Sequence, residues 1–352
     1  MLDDFEVKNQ IYEFLSPIYR RKQKISFWLG AGISKGSGLP AARELQNEIL
    51  LRINMNKTNI ATLENHNLPF EVFMGRLSDF IDVTELLSFF KSAEPVTPHQ
   101  IIAEIVKMDH CGLILTTNFD LCIEKAINKI SPEQWQNFII FRDKTDIQAN
   151  SLIGKDHKTI IKLHGSIDYP ETIKTTLKKI ANSEFMEYVG SAVVNFFNEN
   201  DHELVFIMGY SFSDIFDVVP AVQSVNNNQK TVVWIDHCEN DKELKIENLK
   251  DVTAGNPIDN LSGYKVHVNT DVFLQVLERL FSLNIPESSI PRADWKKYLK
   301  THLTEIFRKD PSLQFTLCGQ LMDMISKNKE ALSYYQKALN SSKQLGLPFN
   351  IA

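Results

Sequence analysis

The chain has 352 residues, of which 43% are hydrophobic and 23% charged, with a net charge of −6. That apolar share supports sizeable cores and excludes disorder as the default, and the length fits one large domain with a smaller one, or two domains. The acidic balance excludes a basic nucleic-acid binder overall. It is uneven, however: from Pro291 onward ten Lys/Arg stand against five Asp/Glu, and the first 290 residues carry −11. A solvated helical face explains such a basic segment more simply than a nucleic-acid contact.

Four cysteines, Cys111, Cys122, Cys238 and Cys318, lie at least 11 residues apart, so the sequence holds no C-x-x-C half-site. With no His-x-x-His or clustered carboxylate pattern either, no metal site is expected. Scattered single cysteines read as reduced thiols of a cytoplasmic protein. The polar N-terminus MLDDFEVKNQ is no signal peptide, and no apolar run approaches the ~20 residues of a membrane span.

In chain order, Phe5, Ile11, Phe14, Leu15 and Ile18 follow helical spacing, with Pro17 expected to kink or shorten that helix. Ile25–Leu29 is a short apolar run ended by Gly30, the pattern of a buried parallel strand. Ala41–Ile53 reads as a helix. Residues 69–107 read as two or three amphipathic helices broken near Pro95 and Pro98. Further buried strands are expected at Gly112–Thr116, Thr159–Leu163, Leu204–Met208, Thr231–Ile235 and Tyr264–Val268, with helices to about Ile130, over 171–200 and from Val272 to Leu283. Strands alternating with helices predict an α/β fold: a Rossmann-like parallel sheet with helices on both faces. In such sheets ligands bind beyond the carboxyl ends of the strands, and here those ends carry Gly30, Asn118, His164, Gly209 and Asp236. Pro286–Pro291 reads as a linker. Beyond it, Gly319, Ala331, Tyr335 and Ala338 match the spacing of a tetratricopeptide helix pair, and an ordinary helical hairpin is the competing reading.

The loop after the first strand, Gly30-Ala31-Gly32-Ile33-Ser34 with Gly36 and Gly38 beyond, can present backbone N–H groups to a phosphate, with the Ser34 hydroxyl and the Arg43 guanidinium as further donors. It lacks the G-K-[ST] of a P-loop. A tight turn is the simpler use of such glycines.

The spacing adds more. Gly30-Ala31-Gly32-Ile33-Ser34 followed by Gly38-Leu39-Pro40 and Arg43 resembles the NAD-binding loop of the sirtuin family, with Ala41-Ala42 replacing the family's acidic-aromatic pair. Thr116-Thr117-Asn118-Phe119-Asp120 resembles T-Q-N-x-D, Leu163-His164-Gly165-Ser166 the catalytic H-G, and Gly209-Tyr210-Ser211 the G-T-S, in the family's order over roughly residues 20–285. The resemblance implies NAD as substrate. Gly30, Ala31, Gly32, Ser34, Arg43, Thr117, Gly209 and Ser211 would bind it, and Asp236 would hold the adenosine ribose. His164 would be the general base, Asn118 would hold a ribose hydroxyl or a water, and Asp120 would meet the nicotinamide carboxamide. Asn118 and Asp120 also suit helix capping, and His164 a turn. The remaining histidines, His99 among them, have no partner motif.

Protein-deacylating sirtuins carry a zinc module on two C-x-x-C pairs, and no cysteine lies between Cys122 and Cys238. Helical insertions (about 44–107 and 168–200) are expected in its place within a catalytic domain over 1–285, followed by a helical segment over 286–352. No zinc is expected. The chain then resembles zinc-free sirtuin-like NAD hydrolases of bacterial anti-phage defence. That implies an NAD glycohydrolase giving nicotinamide and ADP-ribose or cyclic ADP-ribose, a homo-oligomer, and a sensor, ring ATPase or phage trigger as partner. The alternatives are a non-catalytic NAD- or ADP-ribose-sensing module, or a zinc-independent deacylase or ADP-ribosyltransferase.

Overall fold

The computed structural model describes residues 4–20, 24–149, 158–198, 203–226, 230–252, 256–285, 292 and 294–346. Its first compact unit comprises residues 1–37, 93–173 and 180–292, and the second comprises 38–92, 174–179 and 293–352. This division follows other lines than the expected boundary at 285/286: residues 38–92 group with the C-terminal helices. The expected linker Pro286–Pro291 lies outside the described residues.

The first unit is built on an eight-stranded sheet: β1 Ile25–Leu29, β2 Cys111–Thr116, β3 Phe138–Phe141, β4 Lys158–Lys162, β5 Leu204–Met208, β6 Thr231–His237, β7 Leu244–Asn248 and β8 Ser262–Val268. Their order is β3-β4-β2-β1-β5-β6-β8-β7, parallel throughout except for β7, which runs antiparallel to β8. This is the Rossmann-like fold expected. β1 lies between β2 on one side and β5 on the other, so the strand order reverses there. The crevice beyond the carboxyl ends of β1 and β5 is the topological switch point, where such sheets bind ligands.

Both faces are buried, which is why the strands read as continuous apolar runs. Phe27, Leu29, Ile114, Phe206 and Val233 point to one face, under the helices Asp4–Arg20, Thr97–Lys107, Cys122–Ile130 and Thr270–Leu280. Trp28, Leu115, Ile161, Ile207 and Trp234 point to the other, under the helix Ser183–Asn198. The alternation follows from the two-residue period of a strand.

Several expectations change. Pro17 does not end the first helix, which runs through it to Arg20. The glycine stretch is not an open loop but a 3-10 helix, Ala31–Ser37. The insertion expected at 168–200 is in large part a layer of the fold, since Phe185, Tyr188, Val189 and Phe196 of its main helix are buried in the second core. β6 continues to His237, so Asp236 lies inside the strand rather than after it. β3 and β7 were not anticipated. β3 is only four residues long, and β7 (LKIEN) mixes charges with apolar residues as edge strands do.

The second unit is helical. The helices Pro311–Met324 and Asn328–Leu345 pack as a hairpin, preceded by Trp295–Lys309, and the latter packs on the helix Ala42–Arg52. The Tyr334 hydroxyl accepts from Asn59 Nδ2 at 3.1 Å, joining the C-terminal hairpin to the helix Lys57–Asn65. A Cβ on Gly319 would meet the Tyr335 ring at 2.5 Å, so the Gly–Tyr spacing that suggested a helix pair reflects close helix packing. Among the described residues no helix is long and apolar enough to cross a membrane.

The tightest backbone constraint lies at the switch point. Gly30 N–H donates to Met208 O at 2.9 Å, and Gly32 N–H donates to Gly209 O at 2.9 Å. A Cβ on Gly30 would stand 2.4 Å from Gly209 O, and one on Gly32 would stand 2.7 Å from Gly209 Cα. Gly209 itself has φ +66, and its Cβ would stand 2.5 Å from Ile33 N. Gly209→Ala therefore combines left-handed strain with a backbone clash. We predict that it destabilises the protein by about 1–3 kcal/mol in urea unfolding. Gly75→Ala, where a helical Cβ meets nothing within 4 Å, should instead stabilise by about 0.5–1 kcal/mol.

Candidate active site

The crossing of Gly30 and Gly32 over Gly209 delivers Ser34, in the middle of the 3-10 helix, beneath the end of β2. Ser34 is 1% exposed, and its hydroxyl is a junction. It donates to Asp120 Oδ2 at 2.9 Å and lies 3.2 Å from His99 Nε2. Asn118 Nδ2 lies 3.4 Å from it and donates to Gly30 O at 3.1 Å. Asp120 Oδ1 accepts from Cys122 N at 2.9 Å, so each carboxylate oxygen has a donor and Asp120 also orders the start of the following helix.

His99 corrects the sequence reading, which found no partner for it. It stands early in the helix Thr97–Lys107, where its Nδ1 accepts from Val96 N–H at 3.2 Å. That leaves the neutral ring's proton on Nε2, facing the Ser34 hydroxyl. Burial holds the ring down to a pKa of about 4, against the raising effect of Asp120. A signal for His99 existed in the helix-start sequence Thr97-Pro98-His99, but sequence spacing does not reveal that this helix covers β2.

These groups enclose a cavity of about 10 Å³ lined by Leu29, Ile33, His99, Thr116, Asn118 and Asp120, with Ile123. That is room for one water molecule. Asn118 Oδ1 is buried and makes no hydrogen bond among the described residues. An unmet buried acceptor is costly and calls for a partner, which a water in this cavity or a group of a bound ligand would supply.

His164, at the end of β4, is 6% exposed. Its Nε2 lies 2.9 Å from Asp217 Oδ2, and Asp217 is 1% exposed. Asp217 Oδ1 accepts from Val218 N at 2.8 Å, which fixes the carboxylate. With Nε2–H given to Asp217, the basic nitrogen of the neutral ring is Nδ1. Sequence reasoning missed Asp217 because an aspartate before Val218-Val219 is an ordinary helix cap. Asp214, beside it, accepts from the Tyr210 hydroxyl at 2.7 Å, and burial raises its carboxyl above the usual range despite the opposing effect of His164. Phe119 and Phe185 flank the His164 ring, with centroids at 6.5 and 6.3 Å. The loop carrying these groups is strained: Phe212 has φ 56, held by packing against Trp28, Tyr210 and Trp234.

Beneath the site lies an ion pair the sequence did not suggest. Lys162 Nζ, 0% exposed as a residue, reaches Glu124 Oε1 at 2.6 Å and Asp120 O at 2.5 Å. Burial raises the Glu124 carboxyl, with Lys162 opposing. The lysine thus braces the Asp120 backbone from behind.

Of the other expected site residues, Thr117 donates its N–H to Leu29 O at 3.3 Å, Ala31 opens the 3-10 helix, and Ser211 is exposed, its hydroxyl 3.3 Å from that of Ser213. Arg43 is exposed near the start of the helix Ala42–Arg52 and belongs to the second unit. Asp236 Oδ2 accepts from Lys265 Nζ and His267 Nδ1, each at 3.0 Å.

Residues 112–254 match the family model described as SIR2-like domain. The match contains Asn118, Asp120, His164, Gly209 and Asp217, and excludes the glycine segment around Gly30. No curated protein matches the chain. Among solved structures, a chain from "Structural Basis for the Mechanism and Regulation of Sir2 Enzymes" is similar at 14% identity with a TM-score of 0.38, covering 79% of this chain and 99% of that one.

Two outcomes follow. Because His99 titrates near pH 4 folded and near 6.5 unfolded, the unfolded chain takes up the proton first as pH falls. Stability is therefore lost on acidification, by about 2 kcal/mol between pH 7 and 5. His99→Gln should flatten that part of the pH–stability curve in denaturant titrations. Lys162→Met leaves Glu124 buried without its counter-charge and should cost about 3–5 kcal/mol, and Lys162→Met with Glu124→Leu should recover most of it.

Proposed function

Taking the SIR2-like domain over residues 112–254 as premise, we propose that the protein cleaves the nicotinamide–ribose bond of NAD with water as acceptor. The observation that carries this reading is the unmet buried acceptor Asn118 Oδ1, set in one polar cluster with Ser34, His99 and Asp120 at the switch point of the sheet. His164 stands on the neighbouring strand end, with a buried carboxylate of its own.

In the proposed reaction the bond between the anomeric carbon and the pyridinium nitrogen breaks. The bonding pair goes to that nitrogen, neutralising its charge, and the ribose becomes oxocarbenium-like. A water oxygen bonds to the anomeric carbon and gives up one proton. His164 Nδ1 is the base for that proton, and Asp217 stabilises the imidazolium that forms and fixes the ring. Asn118 orients the ribose hydroxyl or the water. His99, held neutral, and Ser34 offer uncharged hydrogen-bonding groups beside the Asp120 carboxylate, suited to an amide rather than to an ion. Gly30 and Gly32 allow the chain to pass close to the dinucleotide.

The absence of C-x-x-C pairs between Cys122 and Cys238 supports hydrolysis over deacylation, since the module that shapes an acyl-peptide groove has no cysteines to hold it. The finer reading, an anti-phage effector that depletes NAD and is restrained by oligomer contacts or a partner until triggered, rests on the sequence resemblance.

The test is to incubate purified protein with NAD and follow nicotinamide by chromatography. Release is expected, with loss of at least 100-fold in His164→Ala and in Asn118→Ala. Asp217→Asn should lower the rate at least tenfold and change its pH profile, because the ring loses its orienting charge. Release that survives both alanine variants contradicts the site. NAD bound without turnover contradicts hydrolysis and supports a sensing module.

A further inference from the structure

The carboxyl end of the β6–β8 pair gathers a second chemical group. Cys238 follows β6, Glu243 precedes β7, and His267 lies on β8. The Cys238 Sγ, a Glu243 carboxylate oxygen and a His267 ring nitrogen all lie within 4.8 Å of one another. The sheet builds this arrangement: Asp236 on β6 is registered directly beside His267 on β8, and the antiparallel strand β7 closes on the other side.

The hydrogen bonding of His267 gives the cluster a direction. Its Nδ1 lies 3.0 Å from Asp236 Oδ2, and that carboxylate is itself held by Lys265 Nζ at 3.0 Å. An Nδ1–H donated to Asp236 leaves Nε2 with its lone pair turned toward Glu243 Oε2, 3.6 Å away. That distance is too long for a hydrogen bond. Between a neutral ring nitrogen and a carboxylate this close, a bound cation is the favourable arrangement, whereas a protonated ring would pair with the carboxylate directly. Two ligand atoms each about 2.1 Å from a tetrahedral zinc ion stand about 3.4 Å apart, near the separation seen. A carboxylate behind the distal nitrogen of a ligating histidine is the usual support of such sites.

We propose that Cys238, Glu243 and His267 bind a divalent ion of the zinc class, with Asp236 orienting His267 and the fourth position left to water or an exogenous ligand. A mixed sulfur, nitrogen and oxygen set selects zinc or a similar d-block ion over magnesium or calcium. The ion would pin the connection between β6 and β7 to β8 and so fasten the edge of the sheet. Binding displaces the Cys238 thiol proton. This proposal stands apart from the hydrolase reading, since it concerns metal binding alone.

The full chain, stripped by chelator, is titrated with Co²⁺ as a spectroscopic substitute and then with Zn²⁺. One equivalent should bind with a sulfur-to-cobalt charge-transfer band, and Zn²⁺ should displace it. Cys238→Ser should abolish the band. His267→Gln and Glu243→Gln should each weaken binding at least tenfold, and Asp236→Asn should weaken it about 10–100-fold. Loss of the band in Cys238→Ser assigns it to Cys238 rather than to the buried Cys111, Cys122 or Cys318. Should a histidine variant fail to fold, a zinc-dependent rise in Tm in the wild type that is absent in Cys238→Ser gives the same answer. No bound equivalent at micromolar metal overturns the proposal. So does a charge-transfer band that survives Cys238→Ser and vanishes in Cys122→Ala.

Discussion

The candidate site depends on one backbone crossing, where the segment leaving β1 lies against the segment leaving β5. Gly30 and Gly32 donate to Met208 O and Gly209 O, and at each of the three glycines a side chain would collide with the opposing backbone. The crossing closes the switch point of the sheet and sets where the 3-10 helix begins. That in turn sets where Ser34 stands, and Ser34 is the atom through which His99, Asn118 and Asp120 are joined. The glycines thus have a structural task of their own, apart from any ligand.

Around this crossing the protein keeps several buried polar groups whose arrangement is over-determined. Asp120 has a donor on each oxygen and a lysine ammonium behind its carbonyl. Asp217 is held by Val218 N–H and holds His164 in turn. Buried charges are weak sources of stability, but fully partnered networks fix geometry. The one conspicuous gap in this cluster is Asn118 Oδ1. Glu124 Oε2 behind Lys162 also lacks a partner among the described residues, but Asn118 Oδ1 is the unpartnered atom that lines the cavity.

Much of the fold was legible in the sequence because parallel strands buried on both faces are short apolar runs. β1, β2, β4 and β5 each end within a residue of expectation. β3 and β7 lacked that signature, since one is short and the other half charged. Of the candidate site, the groups readable from the sequence are those that follow a strand directly: Gly30, Asn118, Asp120, His164 and Gly209. The site was not legible where helix packing supplies the partner. His99 reaches Ser34 because its helix lies over β2, and Asp217 reaches His164 across 53 residues of chain. Lys162 alternates correctly for a buried strand position, and nothing local marks Glu124 as its counter-ion. Arg43, chosen from motif spacing, lies in the helical unit.

The central claim is that the Ser34–Asn118–Asp120–His99 cluster and His164 together receive the nicotinamide ribose of NAD. A crystal structure of the protein with a non-cleavable NAD analogue tests it most directly. The account predicts the anomeric carbon between Asn118 and His164, with the carboxamide at the Ser34–Asp120 pair and a new hydrogen bond to Asn118 Oδ1. A dinucleotide bound elsewhere on the sheet, with Asn118 Oδ1 still without a partner, would contradict it.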